Sequence, residues 1–325
     1  MTDLSSSYMG LKLRTPLVPS ASPLTHDFDN IRRLEDAGAS AVVFHSVFEE
    51  AAQDKKNTAK SGPSALDQYT GLLRKARQAV SVPVIASLGA TSRSGWIEYA
   101  RQIEQAGAHA IELNLYQVPS QADVPGAELE NGYVDVVKTV KSAVKIPVAA
   151  KLTPFFTSMA NMARRFDEAG ADGLVLFNRF YQPDINLDVF EIEPNVLLST
   201  SHSLRLPLTW IGMLFGRIKA SLAGTSGVHG PDDVVKLLLV GADATMVCSA
   251  LLRNGISYLR DLETGLRSWM EKQRHQSVAE FKGKLSQIRC PDPVSFERAQ
   301  YLNAVTGVGN LVLTGREAWK ILSGE

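Results

Sequence analysis

Residues 106–113 read AGAHAIEL, and the same cadence returns as AGASAVVF at 37–44, AGADGLVL at 169–176 and VGADATMV at 240–247. In each, a glycine suited to capping a preceding helix leads into an apolar run fit for a strand buried on both faces. The glycines stand at 38, 107, 170 and 241, which makes the intervals 69, 63 and 71 residues. A βαβ crossover takes about 30 residues, so each interval holds two strand–helix units. The strands this requires are present as PLVPSAS (16–22), VPVIASLG (82–89), IPVAAKLT (146–153) and IKASLAGTSG (218–227). Helical patterns separate them: FDNIRRLEDAG, SGWIEYARQIEQAG, GYVDVVKTVKSAV and PDDVVKLLLVG. Eight alternating units predict a parallel sheet closed into an α/β (β/α)₈ TIM barrel. An open doubly wound sheet would not need such even spacing.

The barrel is expected over about residues 15–275, within a single domain covering 1–325. Two long polar loops depart from the minimal plan: 47–65 after strand 2 and 180–207 after strand 6, the latter with pieces able to pair as short strands. Long loops on this side of a barrel cover a site or form an interface. The stretch 276–325 carries amphipathic segments, SVAEFKGKL and SFERAQYLNAV, interrupted by Pro291 and Pro293. It reads as a helical tail packed around the barrel.

Hydrophobic residues make up 45% and charged residues 21%, the mixture of an ordinary globular protein. Basic and acidic residues both number 34, so no charged field draws nucleic acid. No apolar run approaches a membrane span, and MTDLSSSYMGLKLR lacks a signal-peptide core. Cys248 and Cys290 have neither disulfide nor zinc spacing, and the six histidines form no ligand pair. A cytoplasmic protein without catalytic metal is expected.

Active sites in such barrels lie at the C-terminal ends of the strands. Those ends carry Ser20 and Ser22, His45 and Ser46, Ser87, Asn114, Lys151, Asn178, the loop AGTSG (223–227), and Cys248 with Ser249. Serines at strand ends need no special reason, but a lysine and two asparagines after strongly apolar runs must find polar partners. AGTSG followed by MVCSALL falls after strands 7 and 8, where barrels often hold a phosphate; a plain glycine turn is the alternative. A phosphate site, a cation on strand 5 and amides on strands 4 and 6 match a flat, anionic cofactor such as flavin mononucleotide (FMN).

The stretches SSSYMGLKLRTPLVPSAS, ELNLYQVP, PVAAKLTPFF, LVLFNRFYQPD and LAGTSGVHGPDDVVKLLLVGAD resemble dihydroorotate dehydrogenases, FMN-dependent barrels of pyrimidine biosynthesis. The likeness runs in order from about residue 8 to 255. It implies FMN held by Ala21, Ser22, Ser46, Asn114, Lys151, Asn178, Gly224, Thr225, Ser226, Gly227, Cys248 and Ser249. It implies hydride transfer from dihydroorotate to the flavin, coupled to loss of a proton from the neighbouring carbon. Because the chain starts almost at the barrel, it looks more like the soluble class than the quinone-linked one.

The family's strand-4 motif runs Asn-Leu-Ser, then a cysteine or serine base, then Pro-Asn. Here it runs Asn114, Leu115, Tyr116, Gln117, Val118, Pro119. The asparagine that meets flavin and substrate is retained, but Gln117 stands where the base should be, and an amide cannot take up the proton. The family's lysine near strand 2 aligns with His45. Asn114, Asn178 and Gln117 are the candidate substrate contacts. Lys151, Tyr116 and His45 are the candidate catalytic groups, with histidine expected to titrate near neutrality. Tyr116 could equally pack as an aromatic lid, and His45 could bond the flavin edge.

Four readings follow: a dihydroorotate dehydrogenase-type enzyme, an ene-reductase-like enzyme with Tyr116 as proton donor, a Schiff-base aldolase using Lys151, and a flavin-binding subunit that relays electrons to a partner protein. By family analogy, the loop 180–207 forms a homodimer interface.

Overall fold

The computed structural model describes residues 2–50, 64–193, 196–291 and residue 293. Eight barrel strands lie in it: β1 (Leu17–Pro19), β2 (Val42–Phe48), β3 (Val84–Gly89), β4 (Ala110–Asn114), β5 (Val148–Leu152), β6 (Gly173–Leu176), β7 (Ser221–Thr225) and β8 (Ala244–Val247). They form one parallel sheet in the order β1-β8-β7-β6-β5-β4-β3-β2. The seam between β1 and β2 is closed by the Ser40 N–H donating to Leu17 O (3.1 Å) and by the Thr15 and Ser40 hydroxyls (2.8 Å). The (β/α)₈ barrel expected from the glycine spacing is the observed architecture.

Helices α1 (Phe28–Asp36), α2 (Ala65–Ala79), α3 (Arg93–Gln105), α4 (Gly126–Ala143), α5 (Met159–Glu168), α6 (Arg205–Leu214), α7 (Pro231–Val240), α8 (Ser249–Asn254) and α9 (Tyr258–Lys272) flank the sheet. Their starts are capped by side chains where the sequence offers them. Ser64, Ser92 and Ser158 each accept an N–H of the first turn, which satisfies a donor the helix itself cannot.

The repeat has a geometric meaning. Gly38, Gly107, Gly170 and Gly241 all have positive φ. At each, the glycine N–H and the following N–H fold back onto helix carbonyls, as in Gly107 to Glu104 O (2.9 Å) and Ala108 to Ile103 O (3.3 Å). This pair of hydrogen bonds is the Schellman ending that glycine favours. The residue two places beyond each glycine then pins the strand before it: Ser40 accepts from Thr15 N, His109 from Val84 N, Asp172 from Val148 N and Asp243 from Leu222 N, all at 2.7–2.8 Å. Three places before the first three glycines stand Glu35, Glu104 and Asp167. Each accepts two backbone N–H groups from the turn into β3, β5 or β7. The N-terminal rim of the barrel is therefore one device used repeatedly.

The barrel floor was not anticipated. A hairpin of Ser6–Tyr8 with Leu11–Leu13 pushes Tyr8 and Met9 against the interior residues Ala110, Ala149, Val175 and Ala223. Small strand residues leave room for this plug; a side chain at Gly173 would meet Met9 and Tyr8. The larger core lies between the barrel and the helices, with Phe44, Leu73, Ile103 and Phe166 fully buried.

Two sequence expectations shift and one is met. Val47 and Phe48, expected in a loop, continue β2, which carries a register irregularity between Val43 and Ser46; most of that loop, 51–63, lies outside the described residues. The loop after β6 does pair as short strands, Asp184–Asn186 with Glu191–Glu193. The described part of the tail makes 3₁₀ turns (Val278–Glu280, Gln287–Arg289) instead of α-helix. Gly283 there has positive φ and passes so close to the Phe215 ring that only glycine fits. Phe281 is fully buried, so this segment does pack on the barrel. Residues 294–325, including SFERAQYLNAV, lie outside the described residues.

Candidate active site

The polar residues of the strand tips meet at the C-terminal mouth. Ser46 and Ser87 share a hydrogen bond (2.7 Å), Asn114 Nδ2 donates to Ser46 Oγ (3.4 Å), and Asn178 Nδ2 donates to Asn114 Oδ1 (2.7 Å). The Arg179 N–H completes the chain at Asn178 Oδ1 (3.0 Å). The irregularity in β2 turns Ser46 into this row. Tyr69 of α2 braces it from outside, its hydroxyl donating to Ser87 O (3.2 Å) and accepting from Ser87 N (2.9 Å).

Lys151 stands at the centre. Its Nζ is 3.2 Å from Glu112 Oε1 and 3.5 Å from Ser20 Oγ. Glu112 is 1% exposed and its other oxygen, Oε2, has no hydrogen-bond partner among the described residues. A carboxylate in such a place is tolerated only beside a cation. Sequence reading missed Glu112, although it shares the inward parity of Ala110 and Asn114 along β4.

Two lobes meet over Lys151. The first, about 330 Å³, runs toward β7 and β8, with Ser22, Thr225, Ser226, Gly227, Cys248 and Ser249 on its walls. Among the described residues, Lys151 and Arg179 are the charged ones lining it, so the lobe offers cations and hydroxyls. Ser199 bridges its loops, donating its N–H to Ser249 Oγ (3.1 Å), accepting from Gly227 N (3.4 Å) and bonding His229 Nε2 (3.0 Å). Burial pushes the Cys248 thiol above its ordinary pKa, against the opposing pull of Lys151. The second lobe, about 550 Å³, runs toward β2–β4 and includes His45, Ser46, Asn114, Tyr116 and Tyr181. Ala21, Ser22, Lys151 and Asn178 belong to both. These volumes are those of small-molecule sites.

Two expected site residues are placed differently. Gly224 lies within β7, and a side chain there would strike Leu237 of α7 and Ile211 of α6; its smallness serves helix packing. Gln117 is exposed and lines a separate cavity beyond Tyr116. His45 also departs from expectation. Burial, then the neighbouring His26, lower its pKa to about 4, so it is neutral at physiological pH. Its ring stacks on His26 at 3.7 Å. The Thr25 hydroxyl accepts from His45 N and donates to Ser22 O, so His45 Nδ1, 3.4 Å away, is assigned as the donor and Nε2 as the acceptor. Tyr116 keeps its hydroxyl at the mouth, 3.4 Å from Tyr181 N.

No family model matches the chain. Among curated proteins, it is 26% identical over 306 residues to the catalytic subunit of dihydroorotate dehydrogenase B (NAD(+)) from Thermoplasma volcanium, an alignment covering 87% of this chain and 98% of that one. The protein of the same name from Pyrococcus abyssi is 28% identical over 302 residues, covering 86% and 98%. It is similar to dihydroorotate dehydrogenases along nearly its whole length. The resemblance carried by a few motifs therefore extends over most of the chain. A subunit of NAD-dependent dihydropyrimidine dehydrogenase from Escherichia coli matches at 23% over 314 residues, covering 86% of this chain and 76% of that one. Among the described residues, no helix is long and apolar enough to cross a membrane.

Proposed function

We propose that the protein is an FMN-dependent oxidoreductase of the dihydroorotate dehydrogenase type, acting on a CH–CH bond of dihydroorotate or a related small cyclic or conjugated carbonyl compound. The observation that carries this reading is Lys151, a buried ammonium at the junction of an anion-friendly lobe and an amide-lined lobe. The residues present fit FMN: Ser22, Ser226 and Ser249, with the charge of Arg179, suit its phosphate, and Ser46, Asn114 and Asn178 suit the polar edge of its ring. When bound, FMN supplies the hydride acceptor.

The chain's own residues do the rest. Lys151 presents positive charge where negative charge develops on reduction, in a site shielded from water, where such a charge acts strongly. Asn114 is fixed between Ser46 and Asn178, so its amide orients a bound carbonyl without reorganising. His45 Nε2, neutral, accepts a hydrogen bond. Tyr116 lines the second lobe and can hold or release a proton at its hydroxyl, whereas Gln117 faces elsewhere. The ion pair with Glu112 suits Lys151 to a fixed charge, not to the free amine that a Schiff-base aldolase needs. The ene-reductase-like reading keeps its footing on Tyr116 alone.

The purified protein should show a flavin absorption spectrum, and dihydroorotate added anaerobically should bleach it. A flavin that stays oxidised removes dihydroorotate as substrate. An electron-transfer partner protein belongs to the proposal because two kinds of relative are named subunits. A homodimer is assigned to the hairpin after β6, where Leu187 is 76% and Phe190 88% exposed. A sedimentation experiment giving a monomer would withdraw it.

A further inference from the structure

A cavity of about 370 Å³ lies beyond Tyr116, between α3 and α4. Trp96, Leu115, Leu129, Tyr133 and Val136 form much of its wall. Leu129, Tyr133 and Val136 are four and three residues apart, so one stripe of α4 faces it. Ala90, Thr91, Asn114 and Tyr116 line both this cavity and the second lobe, which makes Tyr116 the partition between them.

Gly132 belongs to the same wall, and it sits inside an 18-residue helix. Among ordinary residues, glycine is the least favourable in a helix interior. The usual reasons for a glycine are missing here. Its φ is not positive, and a side-chain carbon built on it would meet nothing within 4 Å. What the glycine does is leave the cavity open. Among the described residues, Glu128 is the charged one of the lining, so an anionic group is unwelcome there.

We propose that this cavity is a subsite for an uncharged, apolar substituent of the substrate, whose reacting carbonyl head occupies the second lobe beyond Tyr116. The assignment rests on the reading of that lobe as the substrate site. It extends the substrate class to substituted cyclic or conjugated carbonyl compounds larger than dihydroorotate, which itself would leave the cavity empty.

The test titrates FMN-loaded protein with cyclohexenone and with its phenyl-substituted derivative, following both flavin absorbance and tryptophan fluorescence, with Trp96→Phe to assign the signal. Burying a phenyl group should favour the substituted compound by about tenfold to a hundredfold and quench Trp96. Gly132→Leu, which fills the cavity from a helix position with free space, should bring that preference to within about twofold. Gly132→Ala, too small to fill it, should retain the preference. Equal affinity for the two compounds in the unaltered protein, or a preference that survives Gly132→Leu, overturns the subsite. Protein that takes up no FMN defeats the proposed function separately. The Trp96 signal still reads the cavity in that case, and no quenching by the phenyl compound overturns the subsite.

Discussion

The two rims of the barrel are built on opposite plans. At the N-terminal rim, Gly38, Gly107, Gly170 and Gly241 end their helices identically, and Ser40, His109, Asp172 and Asp243 pin equivalent strands. At the C-terminal rim, no two neighbouring contacts are alike: Lys151 pairs with Glu112, Asn178 with Asn114, and Ser46 with Ser87. Returning the chain from helix to strand is the same mechanical problem at every unit, so one solution repeats. A ligand across the mouth has no such symmetry, and each strand end meets a different part of it. Repetition therefore marks stability and its absence marks chemistry, as barrel enzymes in general divide these tasks.

The largest expected effect lies at the upper rim. Lys151→Met should slow substrate-driven flavin reduction by about 10²–10³, measured by anaerobic stopped flow. It should also destabilise the fold by about 3–5 kcal/mol, because Glu112 is left as an unpaired buried charge. Adding Glu112→Gln should restore most of the stability and none of the rate; recovery of the rate would show that the upper rim, too, is merely structural. Next, Tyr116→Phe should slow turnover by about a hundredfold, the low end for lost proton transfer, with an unchanged urea midpoint. An unaltered rate would make Tyr116 a lid.

At the lower rim the signature should reverse. Asp172→Ala removes the acceptor for Val148 N and the partner of Lys141. Urea unfolding should register a loss of about 1–3 kcal/mol, while activity per folded molecule stays constant. A change in rate would break the division between the rims. The last expected effect concerns pH. His45 is held near 4 in the folded protein against an ordinary 6.5, so between these values the unfolded chain binds the extra proton. Its contribution to stability is complete above about pH 6.5 and is lost as pH falls toward 4. Thermal unfolding of His45→Gln should show a flatter decline over that window, and an identical pH profile would contradict the neutral, buried imidazole.

The fold was legible because its signal is repeated and local. A helix-ending glycine followed by a buried strand needs only neighbouring residues to be recognised, and four copies at near-equal spacing leave one closed arrangement. Lys151, Asn114 and Asn178 were legible because a polar group after an apolar run must find partners. Gln117 and Gly224 were read by position in a motif, and the turn at Tyr116 and the packing of α7 placed them elsewhere.

What the sequence determined by itself was the alternation of strand and helix, the helix endings and the polar strand tips, all set within a few residues of chain. Tertiary structure alone decided the rest. It brought Glu112 under Lys151 from 39 residues away, drove Tyr8 and Met9 into the floor, and buried His45 with His26 stacked on it, so that the imidazole stays neutral. Burial and the approach of distant charges set these properties, and neither quantity exists until the barrel has closed.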